Sequence, residues 1–179
     1  MKKMVFLLFL ILLIPSAGCA SEQGPWHGKV IDAETKQPIE GAVVVAVFHK
    51  SSIALGSGPV DYFYAAKETL TDKNGEFNIP VFKYYHISLI SGIKKPEFTI
   101  FKPGYGSFPY YQISPQETPY DLFLKGAVVE LPKITDKNKR LEILSSTEGR
   151  IDTPYKKVPI FIKLINEENA NLGLQGRAK

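Results

Sequence analysis

The chain has 179 residues, 44% hydrophobic and 12% aromatic, which supports a packed core and argues against wholesale disorder. Part of its net charge of +4 is N-terminal: without residues 1–18, which hold Lys2 and Lys3 and no acid, 20 cations face 18 anions. That near balance leaves no electrostatic footprint for nucleic acid, and about 160 remaining residues suit one ordinary domain with an appendage.

The N-terminus carries the strongest signal. Lys2 and Lys3 precede an unbroken apolar run over residues 4–14, and Pro15-Ser16-Ala17-Gly18 then supplies a helix break and small residues. As a helix the run spans about 16 Å against about 30 Å of hydrocarbon, so it has the anatomy of a secretory signal and not of a membrane span. Ser16-Ala17-Gly18-Cys19 resembles a bacterial lipobox, with Ser16 at −3 where that pattern usually has Leu. The resemblance implies cleavage between Gly18 and Cys19 and a diacylglyceryl group on the Cys19 sulfur. An ordinary secretory signal with cleavage nearby is the alternative. Cys19 is the only cysteine, and a lone thiol in an exported chain is unusual; lipidation accounts for it. Ala20 follows it, which in the enterobacterial sorting pattern implies the outer membrane. The expected location is the bacterial cell envelope, with the domain facing the periplasm or the surface.

Past the cysteine, residues 19–25 read as a polar tether. Residues 26–31 alternate as a strand, Asp32 opens a polar turn through residue 37, and the apolar run 42–48 with four valines reads as a strand buried on both faces. Residues 49–61 contain Gly and Ser and read as a long loop. A strand over 62–71, the turn Asp72-Lys73-Asn74-Gly75 and a partner over 76–81 make a hairpin, with Phe77, Ile79 and Val81 on one face. Further strands are expected over 84–90 and 97–101, the second closed by Lys102-Pro103-Gly104-Tyr105. An ordered loop over 106–119 follows, and then a strand over 120–131 with Leu122 and Leu124 alternating against Asp121 and Phe123. Thr135-Asp136 can cap a helix through residue 146. Val158, Phe161, Ile162, Ile165 and Leu172 form the stripe of a second helix, stopped at Gly173.

Several of these residues resemble the carboxypeptidase regulatory-like domain, a small transthyretin-like fold. They are Gly28 and Val30, then Pro38-Ile39 with Gly41-Ala42 and Val44, then Thr71-Asp72, Gly75 and Phe77, and finally Gly104-Tyr105 and the hydrophobic strand 128–131. The order and spacing hold over residues 26–133. The resemblance implies a mainly β, seven-stranded Greek-key β-sandwich, here followed by two short C-terminal helices over 134–179. It implies no activity, because such domains are grafted onto many functions. The loop 49–61 and the aromatic-rich span 106–120 depart from the pattern.

No catalytic or cofactor motif is present. His27, His49 and His86 have no zinc-ligand spacing, and neither a Gly-x-Ser-x-Gly elbow, a P-loop nor a dinucleotide fingerprint occurs. Asp72, Asn74 and Glu76 echo a calcium loop but lack its further acidic ligand, and read as a turn. Neither metal nor cofactor is expected. The tyrosine clusters, above all Tyr62, Tyr64, Tyr110 and Tyr111, are candidates for stacking a sugar ring, against core packing or loop anchoring. Lys139-Arg140 and Lys156-Lys157 read as solvated surface pairs. The expectation is therefore a non-enzymatic, lipid-anchored binding or scaffolding module, held to the membrane through Cys19, with an envelope protein or a glycan as partner. A carbohydrate-binding lipoprotein is the first alternative and an envelope hydrolase the second.

Overall fold

A computed structural model describes residues 19–54, 58–86, 91–115 and 120–176. The signal-like run 4–14, Gly18, and parts of the expected loops and strands at 55–57, 87–90 and 116–119 lie outside the described residues. In chain order the strands are β1 (Cys19–Gln23), β2 (Trp26–Asp32), β3 (Val43–Ala54), β4 (Gly58–Leu70), β5 (Glu76–Ile79), β6 (Phe82–His86), β7 (Ser91–Ile93), β8 (Glu97–Phe101), β9 (Ser107–Phe108) and β10 (Ala127–Leu131). Two helices close the chain, α1 (Lys137–Gly149) and α2 (Pro159–Asn171). The protein is thus mainly β with two C-terminal helices, as expected, but with ten strands among the described residues where about seven were read. No helix among the described residues is long and apolar enough to cross a membrane.

Two sheets face each other. In one, β2 lies between β5, antiparallel, and β10, parallel; the other runs β4-β3-β8-β9, with β7 beside the outer part of β3. Side chains alternate across a strand, so β3 serves two cores at once. Val44, Ala46 and Phe48 meet Trp26, Val30, Phe77, Ile79, Val129 and Leu131 of the opposite sheet. Val43, Val45 and Val47, with Phe101, meet Leu144, Val158, Phe161, Ile162, Ile165 and Leu172 of the helical layer. The double-sided apolar run is thereby explained, and the helices belong to the same body as the sheets. Asp136 caps α1 by accepting from the Lys139 N–H at 2.7 Å, and Gly173 (φ 76°) ends α2 in the left-handed conformation.

Four expectations need correction. The turn at 72–75 is a corner between sheets and not a hairpin: β4 stays in one sheet while β5 pairs with β2 in the other. Buried Thr71 pegs the corner, its hydroxyl accepting from Ala42 N (2.8 Å) and donating to Ile39 O (2.6 Å). Pro80 follows β5, and Val81 beyond it is exposed. The span 49–61 is not a loop, because β3 runs on to Ala54 and β4 begins at Gly58, with a register shift at Phe48/His49. Its polar residues gave no strand signal, and none of the described side chains over 49–52 and 58–61 is fully buried. The tether over 19–25 is largely strand, with β1 paired residue by residue to β6. Finally, 120–131 opens as a 3-10 turn, Tyr120–Leu122, and only Ala127–Leu131 is strand. Phe123 is buried among Phe77, Phe98 and Phe108, whereas Leu122 and Leu124 are half-buried, the reverse of the expected alternation.

Candidate functional site

Two ribbons leave the core at one end. The β2–β5 ladder stops at Trp26↔Ile79 and, after Gly24-Pro25 on one strand and Pro80-Val81 on the other, resumes as β1–β6 at Gln23↔Phe82. Proline has no N–H for a ladder, so the two prolines account for the break. The β3–β4 ribbon continues past Phe48 in the same direction. Aromatic contacts join the two: Trp26 to Phe48 at 5.7 Å, Phe48 stacked on Phe82 at 4.1 Å, and Phe82 against Tyr84 (6.0 Å) and Tyr64 (6.1 Å). Gln23 ties them further, its Nε2 donating to Ile93 O at 3.2 Å and lying 3.4 Å from the Tyr84 hydroxyl. Ile93 is the register partner of Lys50 on β3. Cys19 opens β1 at the far end of the first ribbon, opposite His86.

The candidate tyrosines do not form one platform. Tyr62 (45% exposed) and Tyr64 (39%) lie on β4, with Val60 (49%) further out. Tyr62 stands opposite Lys50. Beside them Asp61 is ion-paired with Lys94; that hydrogen bond, then one from Ser51, hold its carboxyl below the usual range. Tyr110 and Tyr111 instead follow β9, at the opposite edge of the same sheet. Tyr110 is exposed beneath the Arg150 guanidinium, 4.6 Å from the ring centroid. The Tyr111 hydroxyl lies 3.1 Å from both Glu142 Oε1 and Ser146 Oγ, with Lys139 5.1 Å above its ring. The Lys139 ammonium and then the Tyr111 hydroxyl lower the Glu142 carboxyl, and Glu142 in turn raises Lys139. Tyr111 thus anchors its loop to α1.

The remaining polar candidates are mostly structural. His27, Asp72 and Glu76 line one open groove with Thr69 and Asn78, and all three are exposed. Asp72 Oδ1 accepts from the N–H groups of Asn74 (2.9 Å) and Glu76 (2.8 Å), as a turn requires. His49 Nδ1 is 4.0 Å from Glu97 Oε1. Among the described residues no group of three or more His, Cys, Asp or Glu side chains is placed to hold a metal. Arg140 is not a solvated partner of Lys139: its Nε and Nη2 meet the carboxylate of Glu168 at 2.7 and 2.6 Å, and that carboxylate side chain is 3% exposed. Lys156 and Lys157 are exposed, as expected. A second open groove, of ≈ 600 Å³, lies along α2 between Tyr155, Pro159, Ile162 and Asn166.

Sequence reasoning missed Val60, Gln23 and Phe82 as parts of the Cys19 end. The usable signal was the pair of prolines, Pro25 and Pro80, each separating a strand from a further extended stretch. Compared with known protein families, curated proteins and solved structures, the chain matches none.

Proposed function

We propose that this chain is a lipid-anchored protein of the bacterial cell envelope, acylated at Cys19 after cleavage behind Gly18, and acting without chemistry of its own as a binding or scaffolding module. The observation that carries the reading is the order Lys2-Lys3, apolar run, Ser16-Ala17-Gly18-Cys19, followed at once by the folded body. Ala20 favours the outer membrane, and the partner is an envelope protein or a glycan. The domain is of carboxypeptidase regulatory-like type: β10-β2-β5 and β4-β3-β8-β9 together supply seven strands, with β1, β6 and β7 as additions to a Greek-key sandwich. Two of the quoted motif glycines support this, because the backbone leaves no room for a side chain there. A Cβ on Gly28 would stand 2.7 Å from Ala127 O, and one on Gly75 would stand 2.4 Å from Val30 O. A carbohydrate-binding reading rests on Tyr62 and Tyr64, exposed two residues apart on β4.

Growth of the bacterial host with labelled palmitate tests the anchor. The wild-type chain takes up label and sediments with membranes, while Cys19→Ser takes up none and is left soluble or unprocessed. A wild-type chain without label defeats the reading.

A further inference from the structure

We propose that the end of the molecule built by the two ribbons is a membrane seat, with Val60 and Tyr85 resting in the lipid headgroup layer. The inference rests on acylation of Cys19 and adds an orientation to it. Its first support is the lack of slack. Cys19 is not at the end of a tether but in register with β6, so an acyl group there is fastened directly to the folded body. Its second support is level. Gln23 meets Ile93, the partner of Lys50. Counted outward from that tie, Cys19 is four residues from Gln23 and Ala54 four from Lys50. At about 3.3 Å per residue both ribbons reach about 13 Å past it. The hairpin end of β3–β4 and the anchored residue therefore arrive at the bilayer together.

The third support is composition. Tyr85 is 75% exposed on β6 beside Ala20, and Val60 is 49% exposed opposite Ser52, both outward of the tie, with Tyr62 exposed at its level. Tyrosine, with an apolar ring and a polar tip, is enriched where membrane meets water, and interfacial segments sit about 5–10 Å into the headgroup boundary. Asp61, the one carboxylate in residues 58–64, is paired with Lys94 and so opposes this less than a lone anion would. A lipid surface is favoured over a glycan because the same end carries the anchor.

The test uses the full acylated chain in vesicles of phosphatidylethanolamine and phosphatidylglycerol. Since Cys19 is blocked by lipid, a single new thiol can be spin-labelled at Val60→Cys or Tyr85→Cys, both exposed and off the core. Lys36→Cys, on the turn at the other end of β2, serves as control. Accessibility to oxygen relative to a water-soluble nickel chelate should be several-fold higher at 60 and 85 than at 36. Equal, water-like values at all three sites in vesicle-bound protein overturn the seat and leave the anchor standing. Water-like values at 60 and 85 that change only when envelope glycan is added also overturn it, in favour of a sugar platform. Failure of the wild-type chain to take up acyl label or to bind vesicles removes the anchor and the seat together.

Discussion

At the scale of single residues, the turns depend on backbone groups that side chains satisfy. Gly75 has φ 74° and sits against Val30 O, so any side chain there meets both strain and a carbonyl. Gly75→Val should cost well over about 1 kcal/mol, read as a lower urea midpoint; an unchanged midpoint would contradict the corner. Asp32 Oδ1 accepts from the N–H groups of Glu34 (2.9 Å) and Thr35 (2.8 Å). The Thr35 N–H first, against the cost of burial, and then Glu34 and the Tyr105 hydroxyl hold the Asp32 carboxyl below its ordinary range. Tyr105 is raised, by burial first and then by the Asp32 charge. For Asp32 the folded value is the lower one. Its contribution is therefore complete above the ordinary carboxylate value of about 4 and is lost as pH falls through the folded value. For Tyr105 the folded value is the higher one, so its contribution holds up to about pH 10 and is lost as pH rises beyond. Asp32→Asn keeps the acceptor oxygen but removes the charge. The stability gap between wild type and Asp32→Asn should shrink from about pH 6 down to about pH 2, measured by urea midpoints. A constant gap would show that the carboxylate charge plays no part.

At the scale of elements, α2 depends on a strand for its start. Its own N-cap, Val158, has no capping side chain. Glu68 of β4 supplies both acceptors, Oε1 to Ile160 N at 2.7 Å and Oε2 to Phe161 N at 3.0 Å. A carboxylate at a helix N-terminus satisfies orphan donors and complements the helix dipole. Glu68→Ala should destabilise by about 1–2 kcal/mol, and Glu68→Gln by less, since it keeps one acceptor. Equal midpoints for Glu68→Ala and wild type would show that water caps the helix equally well. The Arg140–Glu168 pair then joins α1 to α2, which explains why a charged residue survives on the buried face of α2.

At the scale of the whole molecule, the helices close a surface that the sheet cannot leave open. Val43, Val45, Val47 and Phe101 are buried, all on the helical side of the sheet. Burying four such side chains is worth about 6–12 kcal/mol, comparable to the whole net stability of a domain, about 5–15 kcal/mol. Truncation after Lys133 should therefore abolish cooperative melting or lower its midpoint sharply, and increase binding of a dye for exposed apolar surface. A truncated chain that melts like the full one would make the helices an accessory. The body they complete is also what the acyl chain would hold at the membrane, with the ribbon end inward and the helices to one side.

Local chemistry made much of this legible in one dimension. The double-sided valine strand, the Asp-Lys-Asn-Gly turn, the cap at Asp136 and the stripe of α2 are each written in a few adjacent residues. Their periodicity or turn preference does not depend on what lies opposite. The partner of a strand is different. The residues after Gly75 look the same whether the chain folds back on β4 or crosses to β2, because the choice rests on which face finds Trp26 and Val30. The stretches 19–23 and 49–61 were missed as strands for the same reason: their few core contacts come from the partner strands, as Phe82 and Tyr84 of β6 show, so they carry little hydropathy pattern of their own. Tyr62 and Tyr111 were equal candidates in the sequence. They came apart because strand order put β4 and β9 at opposite edges of one sheet, and Glu142 and Ser146 beneath only one of them.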